Sequence, residues 1–168
     1  MATRKVNIDI LTSSYRIAGN LEVSNFGVLG VLSDSTCSYL DLRDANMARM
    51  HTAAKLTQTT QNIRVIKHQA VAVGLTRRED VGPQAVARGS YSRVFQYPIR
   101  ITTQVYELEG TFEYAGRFDL SVIMDGTCEF IPLYDASLGA ILFPSLFMQS
   151  PVILFNRSSM NTLILMNE

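Results

Sequence analysis

The sequence predicts a mainly β protein of two small antiparallel barrel modules in tandem, with room for a short helix in each. Two observations carry this. Residues 8–47 match residues 99–138 without a gap at an offset of 91, and the apolar residues inside each copy recur with a period of two.

The repeat has fourteen identities in those forty positions: Ile8/Ile99, Ile10/Ile101, Thr12/Thr103, Tyr15/Tyr106, Gly19/Gly110, Glu22/Glu113, Leu29/Leu120, Val31/Val122, Asp34/Asp125, Thr36/Thr127, Cys37/Cys128, Leu42/Leu133, Asp44/Asp135 and Ala45/Ala136. Unrelated sequences of ordinary composition share about two or three. After Met47 the match lapses. A weaker echo then appears at an offset of 90, with Ile63, Val65 and Lys67 facing Ile153, Phe155 and Arg157. This sets a first module at 1–75 and a second at 99–168. Residues 76–98 lie between them, rich in arginine, glycine and proline, with the composition of a solvated linker.

Within the first copy Val6, Ile8 and Ile10 alternate with polar neighbours, followed by Tyr15, Ile17, Gly19, Leu21 and Val23, and later by Leu40 and Leu42, Ile63 and Val65, and Val71, Val73 and Leu75. Alternation of this kind marks half-buried strands. Thr12-Ser13-Ser14 separates the first two runs and predicts a hairpin. Glycine in mid-strand, at Gly19 and Gly110, requires either a hard bend or the close approach of another backbone. Phe26–Leu32 and Phe118–Ile123 lack a clean period and fit a short helix or a further strand. The composition of Asp44–Leu56 favours helix, and because the second copy has proline there, the region is expected to be a variable insertion.

This spacing resembles the Sm-like family, in which a bent five-stranded antiparallel sheet forms a small barrel and the barrels assemble into rings. The residues are Val6-x-Ile-x-Ile, Tyr15-x-Ile-x-Gly19-x-Leu, Tyr39-Leu40-Asp41-Leu42-x-Asp44-Ala45 and Val65-Ile66-Lys67-His68 in the first copy. In the second they are Ile99-x-Ile101, Tyr106-x-Leu-x-Gly110-x-Phe, Phe130-Ile131-Pro132-Leu133-x-Asp135-Ala136 and Phe155-Asn156-Arg157-Ser158. The resemblance implies ring assembly, and for its RNA-binding members a uridine pocket. The pocket signature is incomplete: Tyr39 and Phe130 stand where asparagine is typical, and His68 and Ser158 replace a glycine. An RNA face would use Tyr39, Lys67, His68, Phe130 and Arg157, because an aromatic ring beside a cation stacks on a nucleobase.

Net charge is zero, from fifteen basic and fifteen acidic residues. Residues 1–75 sum to +3, 76–98 to +2 and 99–168 to −5. A −5 half opposes a second phosphate-binding site. A basic and an acidic half in one chain favour head-to-tail contact, between modules or between chains. The apolar run Leu138–Met148 has a polar counterpart in the first copy, so Ile141, Leu142, Phe143, Leu146 and Phe147 are expected to form an assembly surface.

Enzyme chemistry is not expected. The sequence lacks a phosphate-cradling glycine loop, a nucleophile elbow and metal-ligand spacing, and no cofactor is implied. His51 and His68 face Leu142 and Ser158 in the second copy, so any catalytic role would be asymmetric. Cys37 and Cys128 are read as core residues, and the paired aspartates as turn residues at strand ends. Pro144 and Pro151 interrupt the most apolar segment, so no membrane span is expected, and two cysteines without an export signal fit the cytoplasm. The expectation is a non-catalytic interaction or assembly module that self-associates, three chains making a six-module ring, with a further protein partner open and single-stranded RNA binding as the alternative.

Overall fold

The computed structural model describes residues 2–52, 55, 58–83 and 94–166. The first copy contributes β1 (Arg4–Leu11), β2 (Tyr15–Val23), α1 (Gly27–Ser33), β3 (Tyr39–Arg49), β4 (Gln58–Ile66) and β5 (Ala72–Leu75). The second contributes β6 (Phe95–Thr103), β7 (Tyr106–Tyr114), α2 (Ser121–Met124), β8 (Phe130–Ala140), β9 (Phe147–Asn156) and β10 (Met160–Leu165). The chain is mainly β, and among the described residues of each copy there is one short α-helix.

Among the described residues the strands form one antiparallel sheet in the order β10-β6-β7-β8-β9-β5-β1-β2-β3-β4. Each half repeats one order, in which the last strand of the copy returns beside its first. Neither half closes on itself by hydrogen bonding. The free side of β5 is taken by β9 of the other copy instead of by β4 of its own. Two cores lie against this sheet. One is built on Ile8, Ile10, Leu40, Leu42 and Val73, the other on Ile99, Ile101, Leu108, Leu133 and Ile153.

The repeated identities have local causes. At the first hairpin the Thr12 hydroxyl accepts from the backbone N–H of Ser14 and Tyr15 and donates to the Tyr15 carbonyl. Thr103 does the same with Val105 and Tyr106. Gly19 and Gly110 each lie opposite a bulge in the next strand, where the register shifts by one residue. A Cβ on Gly19 would stand 3.0 Å from the Cβ of Ala45, and one on Gly110 would stand 2.9 Å from the Cβ of Ala136. The close approach is therefore of the bulged strand, its alanine Cβ first and its backbone next, to the glycine.

The extra residue of each bulge is Asp44 or Asp135, with φ of 49° and 48°. Aspartate tolerates this left-handed region better than most side chains. These aspartates therefore sit inside β3 and β8, not at strand ends. Asp34 does fill the expected turn role, accepting from the backbone N–H (2.9 Å) and the hydroxyl (2.6 Å) of Thr36.

Two regions depart from their composition. Residues 44–49 are strand, not helix, because Ala45, Asn46 and Met47 pair with Thr60, Thr59 and Gln58 on one side while β2 holds the other. The two copies thus stay in step through Arg49 and Ala140. Of the rest of the expected helix, residues 53, 54 and 56 lie outside the described residues. The cysteines also differ: Cys37 is half-buried and Cys128 exposed, since both follow the polar turn after the helix.

The segments left open between helix and strand are α1 and α2. Both are short and lack a side-chain N-cap, so tertiary contacts hold them. Val28 and Leu32 enter the first core, and Leu29 N–H donates to the Val81 carbonyl. Gly27, at φ 69°, allows Val81 and Gly82 to pass against it. The start of the expected linker is therefore packed. Val81 and Asp80 are buried, and Asp80 is bonded to Arg4 and Arg77. Burial works to raise the Asp80 pKa, and the two guanidiniums outweigh it, leaving the carboxyl below its usual range. β6 takes the end of the expected linker from Phe95 on; residues 84–93 lie outside the described residues.

Gly110→Val is expected to destabilise the chain by about 2 kcal/mol or more, through overpacking against Ala136. Asp135→Val should cost about 1 kcal/mol or more, whereas Asp135→Asn should cost less than about 0.5 kcal/mol. Urea unfolding of the three variants gives the order.

Candidate assembly interface

The contact between the copies begins with β5, whose four residues are all buried. Its register against β9 sets Ala72, Val73, Gly74 and Leu75 opposite Phe155, Leu154, Ile153 and Val152. Across this seam the cores interpenetrate. Phe130, Tyr134, Val152 and Leu154 pack into the first core, while Leu11, Met50, Val71 and Ala72 pack into the second. Burial of apolar area on this scale outweighs the cost of ordering so short a strand.

Polar contacts fix the register. The Asn156 side-chain amide donates to the Ala70 carbonyl at 3.0 Å, and its backbone N–H donates to the Val71 carbonyl at 2.8 Å. The Ser150 hydroxyl donates to the Leu75 carbonyl. At the hairpin ends the phenol of Tyr106 donates to the Thr12 carbonyl at 2.6 Å. Burial, then the nearby Asp9 carboxylate, push the Tyr106 pKa well up. Arg78, in the turn after β5, lies over the Tyr134 ring at 3.8 Å and is bonded to the Glu113 carboxylate.

At the two ends of the sheet, β4 and β10 each lack a second neighbour among the described strands. They are the counterparts of β9 and β5, the two strands that pair at the seam. Side chains that the seam buries in one copy are open in the other. Tyr106 is 0% exposed and Tyr15 is 37%; Phe130 is 2% exposed and Tyr39 is 36%. Ile66 and Ile164, in the positions of Asn156 and Gly74, are also exposed.

The residues expected at an RNA face are dispersed. Tyr39, on β3 beside the end strand β4, has the Arg64 guanidinium 5.2 Å from its ring centre. Phe130 is inside the seam. Lys67 is buried, and its ammonium donates to the Asp34 carbonyl at 2.8 Å, just past α1. Arg157 donates in the same way to the Met124 carbonyl at 3.4 Å, at the end of α2. Both cations thus complete helix C-termini, where they satisfy carbonyls and oppose the helix dipole. His68 is exposed.

The residues expected at an assembly surface lie elsewhere, at the tip of the β8–β9 hairpin. Leu142 and Phe147 are 77% and 61% exposed, Ile141 is exposed, Leu146 is in the second core, and half-buried Phe143 meets the His51 ring. The seam itself was signalled in sequence by Tyr15/Tyr106, Thr12/Thr103 and Glu22/Glu113. Asn156, Ser150 and Arg78 were missed, because the first two are not shared with the first copy and Arg78 gains its partners only in the fold. Among the described residues no three of His, Cys, Asp and Glu gather as a metal site, and no helix is long and apolar enough to cross a membrane.

Tyr106→Phe is expected to cost about 1 kcal/mol by removing the bond to Thr12. A phenol whose folded pKa is raised contributes stability that is complete below the unfolded value and declines as pH rises past about 10. Thermal unfolding from pH 8 to 11 should therefore show a smaller alkaline loss for Tyr106→Phe than for the unaltered chain.

No family model, curated protein or solved structure matches this chain.

Proposed function

We propose that this chain is a non-catalytic assembly module whose copies join head to tail, β10 of one pairing with β4 of the next. One observation carries the reading: the two open edges of the sheet are copies of the two strands already paired at the internal seam. Repeating that seam at an offset of 90 sets Thr162, Leu163, Ile164 and Leu165 against Val65, Arg64, Ile63 and Asn62. It also carries Tyr15 to the Thr103 carbonyl, as Tyr106 reaches Thr12, and covers Tyr39.

Such contacts are heterologous. They build a filament unless rotation closes them, and closure removes every edge. With the strand order repeated in each half and the resemblance to Sm-like modules, three chains closing a six-module ring is the arrangement proposed. RNA binding has weaker support, since Lys67 and Phe130 are engaged within the chain.

Sedimentation equilibrium should show a species three times the 18.7 kDa chain. Ile164→Lys places a charge in mid-edge, where lysine blocks strand addition, and should return the chain to a monomer at the same concentration. A monomer at every concentration, or an Ile164→Lys variant that assembles like the parent, overturns the proposal.

A further inference from the structure

The β3–β4 face of the first copy carries an open groove lined by Asp41, Arg43, Asn62, Ile63 and Arg64. The equivalent positions in the second copy are Pro132, Tyr134, Val152, Ile153 and Leu154. Of these all but Pro132 are buried, Tyr134, Val152 and Leu154 in the first core and Ile153 in the second. Over Tyr134 lies Arg78, from the turn after β5, stacked on the ring and bonded to Glu113.

The same offset of 90 that lays β5 on β10 lays Thr76, Arg77 and Arg78 on Met166, Asn167 and Glu168. The chemistry reverses at the last position. Inside the chain a cation lies against an aromatic ring and a carboxylate; in the sequence the equivalent positions hold an acid in place of the cation and Arg43 in place of the ring. In the single chain Arg43 is little engaged, 54% exposed and 3.9 Å from a Glu22 carboxylate that is itself about half exposed. Glu22 is the counterpart of Glu113 and can turn to solvent. Arg64, on the adjacent strand, adds a second cation to the groove.

We propose that residues 167–168, which lie outside the described residues, dock in this groove on the next copy, with the Glu168 carboxylate on the Arg43 guanidinium. The occupant is a named segment of a second copy, chosen by register and by charge. The inference rests on the head-to-tail reading and adds to it that the contact between chains is latched by an ion pair, where the contact within the chain is latched by cation and ring. A partly exposed pair of this kind is screened by salt.

The test is sedimentation velocity on the full chain across a concentration series at low salt. Glu168→Lys should weaken association about tenfold, as should Arg43→Glu, and combining the two should restore most of it, as reversing a direct charge pair does. Recovery in the double variant cannot come from damage to folding. Raising the salt should weaken the parent and leave Glu168→Gln nearly unmoved. If Glu168→Lys associates like the parent while Ile164→Lys falls apart, the docking is overturned and strand pairing stands. If both single variants weaken and the double does not recover, the pairing of Glu168 with Arg43 is overturned. If the parent is a monomer throughout, both proposals fall together.

Discussion

Strand β5 is four residues long and every one of them is buried, which is possible only because it has a neighbour on each side, β1 of its own copy and β9 of the other. Alone, so short a strand gains too few ladder bonds to offset the entropy of ordering it. Between two neighbours it closes both cores at once: Val73 and Leu75 face the first, Ala72 the second. Remove β9 and the first core opens along that whole side. The two copies therefore share one sheet, and each contributes residues to the other's core.

Pairing of this kind constrains geometry more than chemistry. Asp9 and Arg16 form a bidentate ion pair across the β1–β2 hairpin, with contacts of 2.6 to 3.1 Å. The same two places in the second copy hold Arg100 and Glu107, joined at 2.8 Å with the signs exchanged. Only the product of the charges enters their attraction, so the hairpin is indifferent to the exchange. The surroundings are not. Asp9 lies near the buried Tyr106 phenol, whereas Arg100 lies on β6, next to the end strand β10. The copies thus share a skeleton while presenting opposite signs at matching places, which the sum of +3 against −5 showed only as a total.

What the sequence could convey follows from the range of each interaction. The strands, the Thr12 turn and the tightness at Gly19 depend on neighbours a few residues away or on the next strand, and their pattern was readable. The role of Asp44 and Asp135 was not, because a left-handed residue inside a bulge is defined by the register of two strands at once. The helices stayed undecided because α1 and α2 lack a side-chain N-cap and are held by packing on the sheet and by cations at their C-termini. Residues 44–49 misled for the reverse reason: alanine and methionine favour helix weakly, and a ladder on both sides overrides that preference. Lys67 and Arg157 matched a basic motif in a line of text, yet only the fold reveals that a helix end lies within reach of each.

The seam was the least readable feature, since a strand edge is not an apolar pattern. Its chemistry nonetheless has a physical logic once the two edges are compared. A contact inside one chain never has to survive in water by itself, so Tyr134, Val152 and Leu154 can be apolar without cost to solubility. The equivalent edge of the first copy is exposed whenever a chain is alone, and an apolar strand there would pair with any other edge it met. Arg43, Asn62 and Arg64 occupy those places. Charged groups on an open strand do not forbid pairing with one matched partner. They raise the cost of every unmatched one, because a buried, unpaired guanidinium costs far more than a screened one. Doubling the module within one chain therefore does more than duplicate it, for it lets the edge buried at the seam be apolar while the equivalent edge of the first copy stays polar.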